Sequence, residues 1–215
     1  MPDNHTSEDN IFTAAEAVSR DVGVEPDFLL RMREEDDWSF VIKLHALLEA
    51  ATAHLLTHHF ADRRIEPHFH ALRLTGRAGQ LELAKRLELI GDHEARFAQR
   101  LSELRNSLVH EISNIGFRFE TYVTQPSEPK ATEFVRDFGD AWIEELEING
   151  ARVSRRDMTL ANPRVTVWLG AIGFLAAVHL GKAKSELDWR SKRLEVVEEF
   201  LGPWKRRGEA GSEFS

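Results

Sequence analysis

The residues in this chain best suited to chemistry are Arg105, Asn106 and His110, in the run Arg105-Asn106-Ser107-Leu108-Val109-His110. Arginine is a permanent cation that can hold a phosphate through two parallel N–H groups, and histidine exchanges a proton near neutral pH. Together they suit phosphodiester cleavage in RNA. The imidazole moves a proton at the ribose 2′-hydroxyl or the leaving oxygen, while the guanidinium neutralises the phosphate. Such chemistry requires neither a metal nor an organic cofactor, and none is expected. In a helix, Asn106 and His110 are neighbours on one face, where the amide can hydrogen-bond the imidazole, while Arg105 and His110 are turned about 140° apart. A capping role competes with this reading, because cationic and amide side chains near a helix C-terminus also interact with the last free carbonyls.

The spacing by itself is weak. This composition yields about one Arg-x4-His match by chance, and a second match, Arg63 to His68, is present. That second match lies in a segment broken by Pro67 and Gly76. The first lies late in an amphipathic helix, His93 to Ile112, whose stripe of Phe97, Leu101, Leu104, Leu108 and Ile112 defines a core face. Arg105 flanks that stripe, and Asn106 and His110 lie nearly opposite it, so those two do not fill this core.

The positioning elements read as helices. Trp38 to Phe60 places Phe40, Leu44, Leu47, Leu48, Ala51 and Leu55 on one stripe. A short helix over Asp27 to Arg33 follows Pro26, and residues 61–77 suggest a loop or irregular turn. Gln80 to Ile90 is predicted as a helix with Gly91 as its C-terminal cap and Asp92 capping the next. Alternation from Ile115 to Val123 favours a short extended segment, and Pro126-Ser-Glu-Pro129 is the best internal boundary. Beyond it, Ala131 to Ile148 has helical spacing, stopped by Asn149-Gly150. Asn162-Pro163 starts an apolar helix, and Lys184 to Leu201 reads as a final amphipathic helix ended by Gly202-Pro203. The apolar helix lacks a solvated face, which places it inside a bundle or in a subunit interface, and Gly170, Gly173 and Ala177 would permit close approach.

The 215 residues, 42% hydrophobic, suffice for one domain or a domain with a helical extension. A net charge of -8 argues against holding nucleic acid by bulk electrostatics, so any such contact uses a local patch. The absence of cysteine excludes disulfides and thiolate chemistry. Residues 1–10 lack a secretory pattern, and the 16-residue apolar run Val165 to Leu180 is short for a membrane span. A cytoplasmic protein without membrane contact is the expectation.

Other candidates are weaker. His54 and His58 have i, i+4 spacing that can chelate zinc, but neither a third ligand nor the glutamate of a metalloprotease is evident, so no metal site is expected. Glu49 either meets a motif arginine or is solvated. The arginine groups at 63–64, 73–77 and 152–156 and the basic run 205–207 are candidate phosphate contacts that read equally as solvated faces. Gly181-Lys182 does not complete a phosphate-binding loop.

The long helix Phe40-Val-Ile-Lys-Leu-His-Ala-Leu-Leu-Glu-Ala, the helix Leu81 to Ile90 with Gly91, and Leu104-Arg105-Asn106-Ser-Leu-Val-His110 together resemble the HEPN superfamily over roughly residues 25–125. The mannitol operon repressor-like proteins look like near relatives. The resemblance implies an all-α, HEPN-like bundle with an Arg-x4-6-His motif matched by Arg105, Asn106 and His110. It also implies metal-independent endoribonuclease activity in toxin-antitoxin or antiphage defence, with RNA as substrate. It further implies a homodimer whose motifs face each other and a possible antitoxin partner. Other members are inert, which leaves a dimeric regulatory module as the alternative. The expected organisation is a tail with a short helix over 1–24, a HEPN-like core over 25–125, and an accessory helical region over 126–215.

Overall fold

Asp36 starts the central helix by accepting a hydrogen bond from the backbone N–H of Ser39 at 2.9 Å, satisfying a donor that the first turn leaves free. In the computed structural model, which describes residues 19–20, 23–25, 27–124, 128–142, 144–148 and 151–210, this helix is α2, Asp37–Phe60. It follows α1, Phe28–Arg31, and a 3-10 turn over Met32–Glu34. All six residues of the predicted stripe of α2 are buried. After α2 come α3, Glu66–Ala71, α4, Gln80–Arg86, and α5, Asp92–Val109. Then follow α6, Phe119–Thr124, and α7, Glu128–Phe138. The antiparallel ribbon β1, Glu145–Ile148, and β2, Ala151–Ser154, precedes α8, Arg155–Ala161, and α9, Pro163–Ala210. The fold is all-α apart from that ribbon.

Two helices lie along α2 and set the geometry. α9 runs in the same direction, with Arg164 bonded to Asp37 at one end and Trp189 Nε1 donating to the His59 carbonyl at 3.0 Å at the other. α5 runs the opposite way, since Leu108 O accepts from Trp38 Nε1 at 3.4 Å and Ser102 meets His45. Phe97 of α5 lies against Gly170 of α9 so closely that a Cβ there would fall 2.3 Å from the ring. One hydrophobic core runs from Leu29 to Val178, so residues on both sides of the Pro126–Pro129 stretch share it. Residues 1–18, and Pro126 and Ser127 of that stretch, lie outside the described residues.

Several elements differ from expectation. Residues 63–71 are helical, because Pro67 stands in the first turn of α3, where its missing N–H costs nothing, and Phe69 is buried and stacked on Phe60. Gly91 is not a left-handed cap. The helix α4 ends in a Schellman arrangement with Glu88 at φ 55, Leu89 N–H donating to Ala84 O and Glu88 N–H to Lys85 O. Gly91 then precedes α5, and Asp92 is its first residue, paired with Lys85 at 2.6 Å. The segment read as extended, 115–123, is a 3-10 turn followed by α6, whose Phe119 and Val123 are buried one turn apart. The predicted helix to Ile148 stops at Phe138, and residues 145–148 pair with 151–154 in the ribbon instead. An Asn-Gly pair between alternating residues is a hairpin signal as well as a stop signal. Asn149 and Gly150 themselves lie outside the described residues.

The two helices expected after Asn162 are one, passing through Gly202 and Pro203 without a break. Helix α2 and the Pro163–Glu199 part of α9 are long and apolar enough to cross a membrane by length and composition alone. The fold buries 67% of an apolar 18-residue stretch of α2 but 44% of such a stretch of α9. Core packing therefore accounts for the apolarity of α2 more fully than for that of α9.

Contrasting glycine substitutions test this packing. Gly170→Ala pushes a methyl into the Phe97 ring and is expected to destabilise by about 1–3 kcal/mol, whereas nothing lies within 4 Å of a Cβ at Gly173. Gly173→Ala should therefore stabilise by up to about 1 kcal/mol through helix propensity. Urea denaturation of the two variants checks the opposite signs.

Candidate active site

The three motif residues sit at the end of α5, which is held against α2 by a buried polar contact. His45 Nε2 lies 2.7 Å from Ser102 Oγ, with both side chains buried. Burial holds the His45 imidazole below its ordinary range; Glu49 opposes that shift and Arg105 adds to it. Arg105 and Glu49 thus both border the cluster. Glu49 is half-buried and accepts from the backbone N–H of Leu74 at 3.3 Å, so it acts as a brace for the 72–79 loop and does not form an ion pair with Arg105.

Arg105 is half-buried, and its Nη1 donates to Asn106 Oδ1 at 3.1 Å. Its Nε is buried without a hydrogen-bond partner. No carboxylate among the described residues neutralises the guanidinium. Asn106 is exposed and engages Arg105, not His110. The helix stops at Val109, so His110 is the C-cap residue, with φ -79 and ψ -16. Its side chain is exposed and makes no hydrogen bond or ion pair among the described residues. The structure thus joins Arg105 to Asn106 and sets His110 one turn beyond them, open to solvent.

Other residues supply the capping. Asn114 Nδ2 donates to Ser107 O at 2.8 Å, Trp38 Nε1 takes Leu108 O, and Ser107 Oγ donates to Leu104 O at 2.7 Å. Two of the last four carbonyls of α5, those of Ser107 and Leu108, are therefore met by Asn114 and Trp38. Neither of those two bonds comes from Arg105, Asn106 or His110.

Comparison with protein-family models, curated proteins and solved structures returned no match. The site therefore rests on its own residues. Beside the end of α5 lies a cleft of about 480 Å³ whose lining includes Ser107, Asn114, Arg118, Tyr122 and Lys130. Arg118 is exposed, and the Lys130 ammonium lies 5.4 Å from the Tyr122 ring centre. Arg105 and His110 do not line this cleft. Arg118 and Lys130 bring cations near the motif that sequence reading missed, because only the α6 and α7 fold-back carries them there. The arginines at 63–64 and 73–77 are exposed. No group of three His, Asp or Glu residues among the described residues is arranged to hold a metal ion, and His58 Nε2 instead lies 3.4 Å from Glu186.

The His45 contact generates a pH prediction. A histidine kept below its unfolded value of 6.5 is neutral in the fold and takes up a proton more readily when unfolded. Its contribution to stability is full above that value and is lost as pH falls through the window below it. Replacing His45 with Gln should flatten the decline in melting temperature between neutral and mildly acidic pH. Ser102→Ala, which strands the buried imidazole nitrogen, should cost about 1–3 kcal/mol at neutral pH, read by denaturant titration.

Proposed function

We propose that this protein is a metal-independent endoribonuclease acting on cytoplasmic RNA as a homodimer, the toxin or effector of a defence system controlled by an antitoxin protein. One observation supports it most: a guanidinium without a carboxylate partner, braced by Asn106, stands one helical turn from an exposed and unengaged imidazole. Other side chains cap the helix on which the motif sits. In this reading Arg105 binds the scissile phosphate and Asn106 holds Arg105 in place. His110 takes the proton of the ribose 2′-hydroxyl. The 2′-oxygen forms a bond to phosphorus, the bond to the 5′-oxygen breaks, and that oxygen takes up a proton from solvent. The products are a 2′,3′-cyclic phosphate and a 5′-hydroxyl end.

Arg118 and Lys130, in the neighbouring cleft that Glu111 also lines, are the candidate contacts for flanking phosphates of the strand. The HEPN resemblance, with its Arg-x4-6-His pattern, points to the same reaction class. Removing a general acid–base group typically costs about 10²–10⁴ in rate. His110→Ala and Arg105→Ala are each expected to lower cleavage of mixed RNA in EDTA by that order. Far-UV circular dichroism and sedimentation should be unchanged. Full cleavage by either variant, or a wild-type protein inert on every RNA that instead captures a stable protein partner, would replace this reading with that of a regulatory module.

A further inference from the structure

The cleft of about 480 Å³ beside the end of α5 holds a carboxylate that the fold does not use. Glu111 is exposed, and the one hydrogen bond of its side chain among the described residues comes from Ser113 Oγ at 3.4 Å. It makes no ion pair there, and its side chain does not cap the 3-10 turn that it precedes. Next to the C-terminus of α5 its charge opposes the helix dipole. In a cleft that Arg118 and Lys130 also line, it would repel the phosphates of a strand lying there. A carboxylate so placed suits a ligand that brings donors to it.

The rest of the cleft suits a flat ligand with a polar edge. Phe117 and Tyr122 are half-buried and meet edge to face with ring centres 5.7 Å apart, and Phe134 stands behind Tyr122 at 6.2 Å. Such an aromatic wall can take the plane of an unstacked base. Asn114 is oriented by its Nδ2 donating to Ser107 O, which leaves Oδ1 as an acceptor. The Ser107 hydroxyl donates to Leu104 O, so that oxygen too has lone pairs left to offer. The end of α5 and its turn thus add acceptors to the carboxylate, while the cations come from the α6 and α7 fold-back.

We infer that this cleft is a nucleobase pocket selective for guanine, with Glu111 accepting from N1–H and N2–H. Guanine is the one RNA base with two adjacent N–H donors on its pairing edge, and these match the two oxygens of a carboxylate. Adenine and cytosine present an amino group beside a nitrogen lone pair, which would face a carboxylate oxygen. Uracil has a single N–H between two carbonyls. The cleft meets α5 and its turn through Ser107, Leu108 and Glu111, on either side of His110 in the chain. The base beside Glu111 therefore belongs to the nucleoside whose 2′-hydroxyl gives its proton to His110, and the cyclic phosphate is left on guanosine. This assignment rests on the endoribonuclease reading and names the base that the site reads.

Sequencing the 2′,3′-cyclic phosphate ends left by the wild type on mixed RNA in EDTA tests it. Guanosine should exceed each other nucleoside at those ends by about 10-fold or more, the worth of a hydrogen-bonded pair involving a charged group. Replacing that guanosine with inosine, which lacks the N2 amino group, should slow wild-type cleavage of a short RNA by about 10-fold. In Glu111→Gln, whose amide turns one acceptor into a donor, the guanosine preference and the inosine effect should each shrink to about threefold or less. Cleavage without base preference, preference for another base, or a guanosine preference that survives Glu111→Gln would overturn the pocket and leave the endoribonuclease reading standing. Equal loss of cleavage at all four bases in Glu111→Gln would make it a group of the reaction itself and likewise overturn the assignment. A wild type inert on every RNA would overturn both.

Discussion

The architecture turns on one half-buried ion pair. Asp37 Oδ1 accepts from Arg164 Nη1 at 2.9 Å, and Asp37 Oδ2 accepts from the backbone N–H of Phe119 at 2.8 Å. Arg164 also donates to Met32 O at 2.9 Å and lies 4.9 Å from the centre of the Phe40 ring. The turn after α1 and the start of α2, neighbours in sequence, therefore meet the distant starts of α6 and α9 at one carboxylate and one guanidinium. A charge pair withdrawn from water to this extent is favourable only when its remaining donors and acceptors are matched, and here most are. It fixes where α9 begins along α2, and so the register of every contact that follows.

From that register the site follows. α5 runs back along α2, and the His45–Ser102 contact locates it within a core otherwise made of aliphatic and aromatic groups. Polar groups inside such a core have few acceptable partners, so the contact sets the position of α5 more sharply than apolar packing does. Arg105, one turn after Ser102, is consequently carried to the edge of the same cluster. The 3-10 turn after His110 brings Asn114 back onto the helix end.

Much of this was legible in the sequence, and the parts that were not share a cause. The stripes of α2 and α5 were readable because a helix packed on one side must show a 3.6-residue period. Arg105, Asn106 and His110 were readable because they fall off that stripe. The partners of the motif were not. Asn114 capping Ser107, Trp38 bonding Leu108 O and Arg118 lining the neighbouring cleft are contacts between segments with no shared period. Local signals with two meanings also misled. The Asn149-Gly150 pair suits a helix stop or a hairpin, and the run 115–123 satisfies both a two-residue alternation and, through Phe119 and Val123, a helical turn. A Glu in the left-handed position at 88 escapes any search for glycine caps.

The unbroken α9 also governs how the molecule moves through solvent. Its 48 residues span on the order of 70 Å at 1.5 Å per residue, while a globule of this chain length has a radius of gyration of only about 17 Å. A rod protruding from a smaller body raises the frictional coefficient, so even a single 24.6 kDa chain elutes from a sizing column ahead of a spherical standard of equal mass.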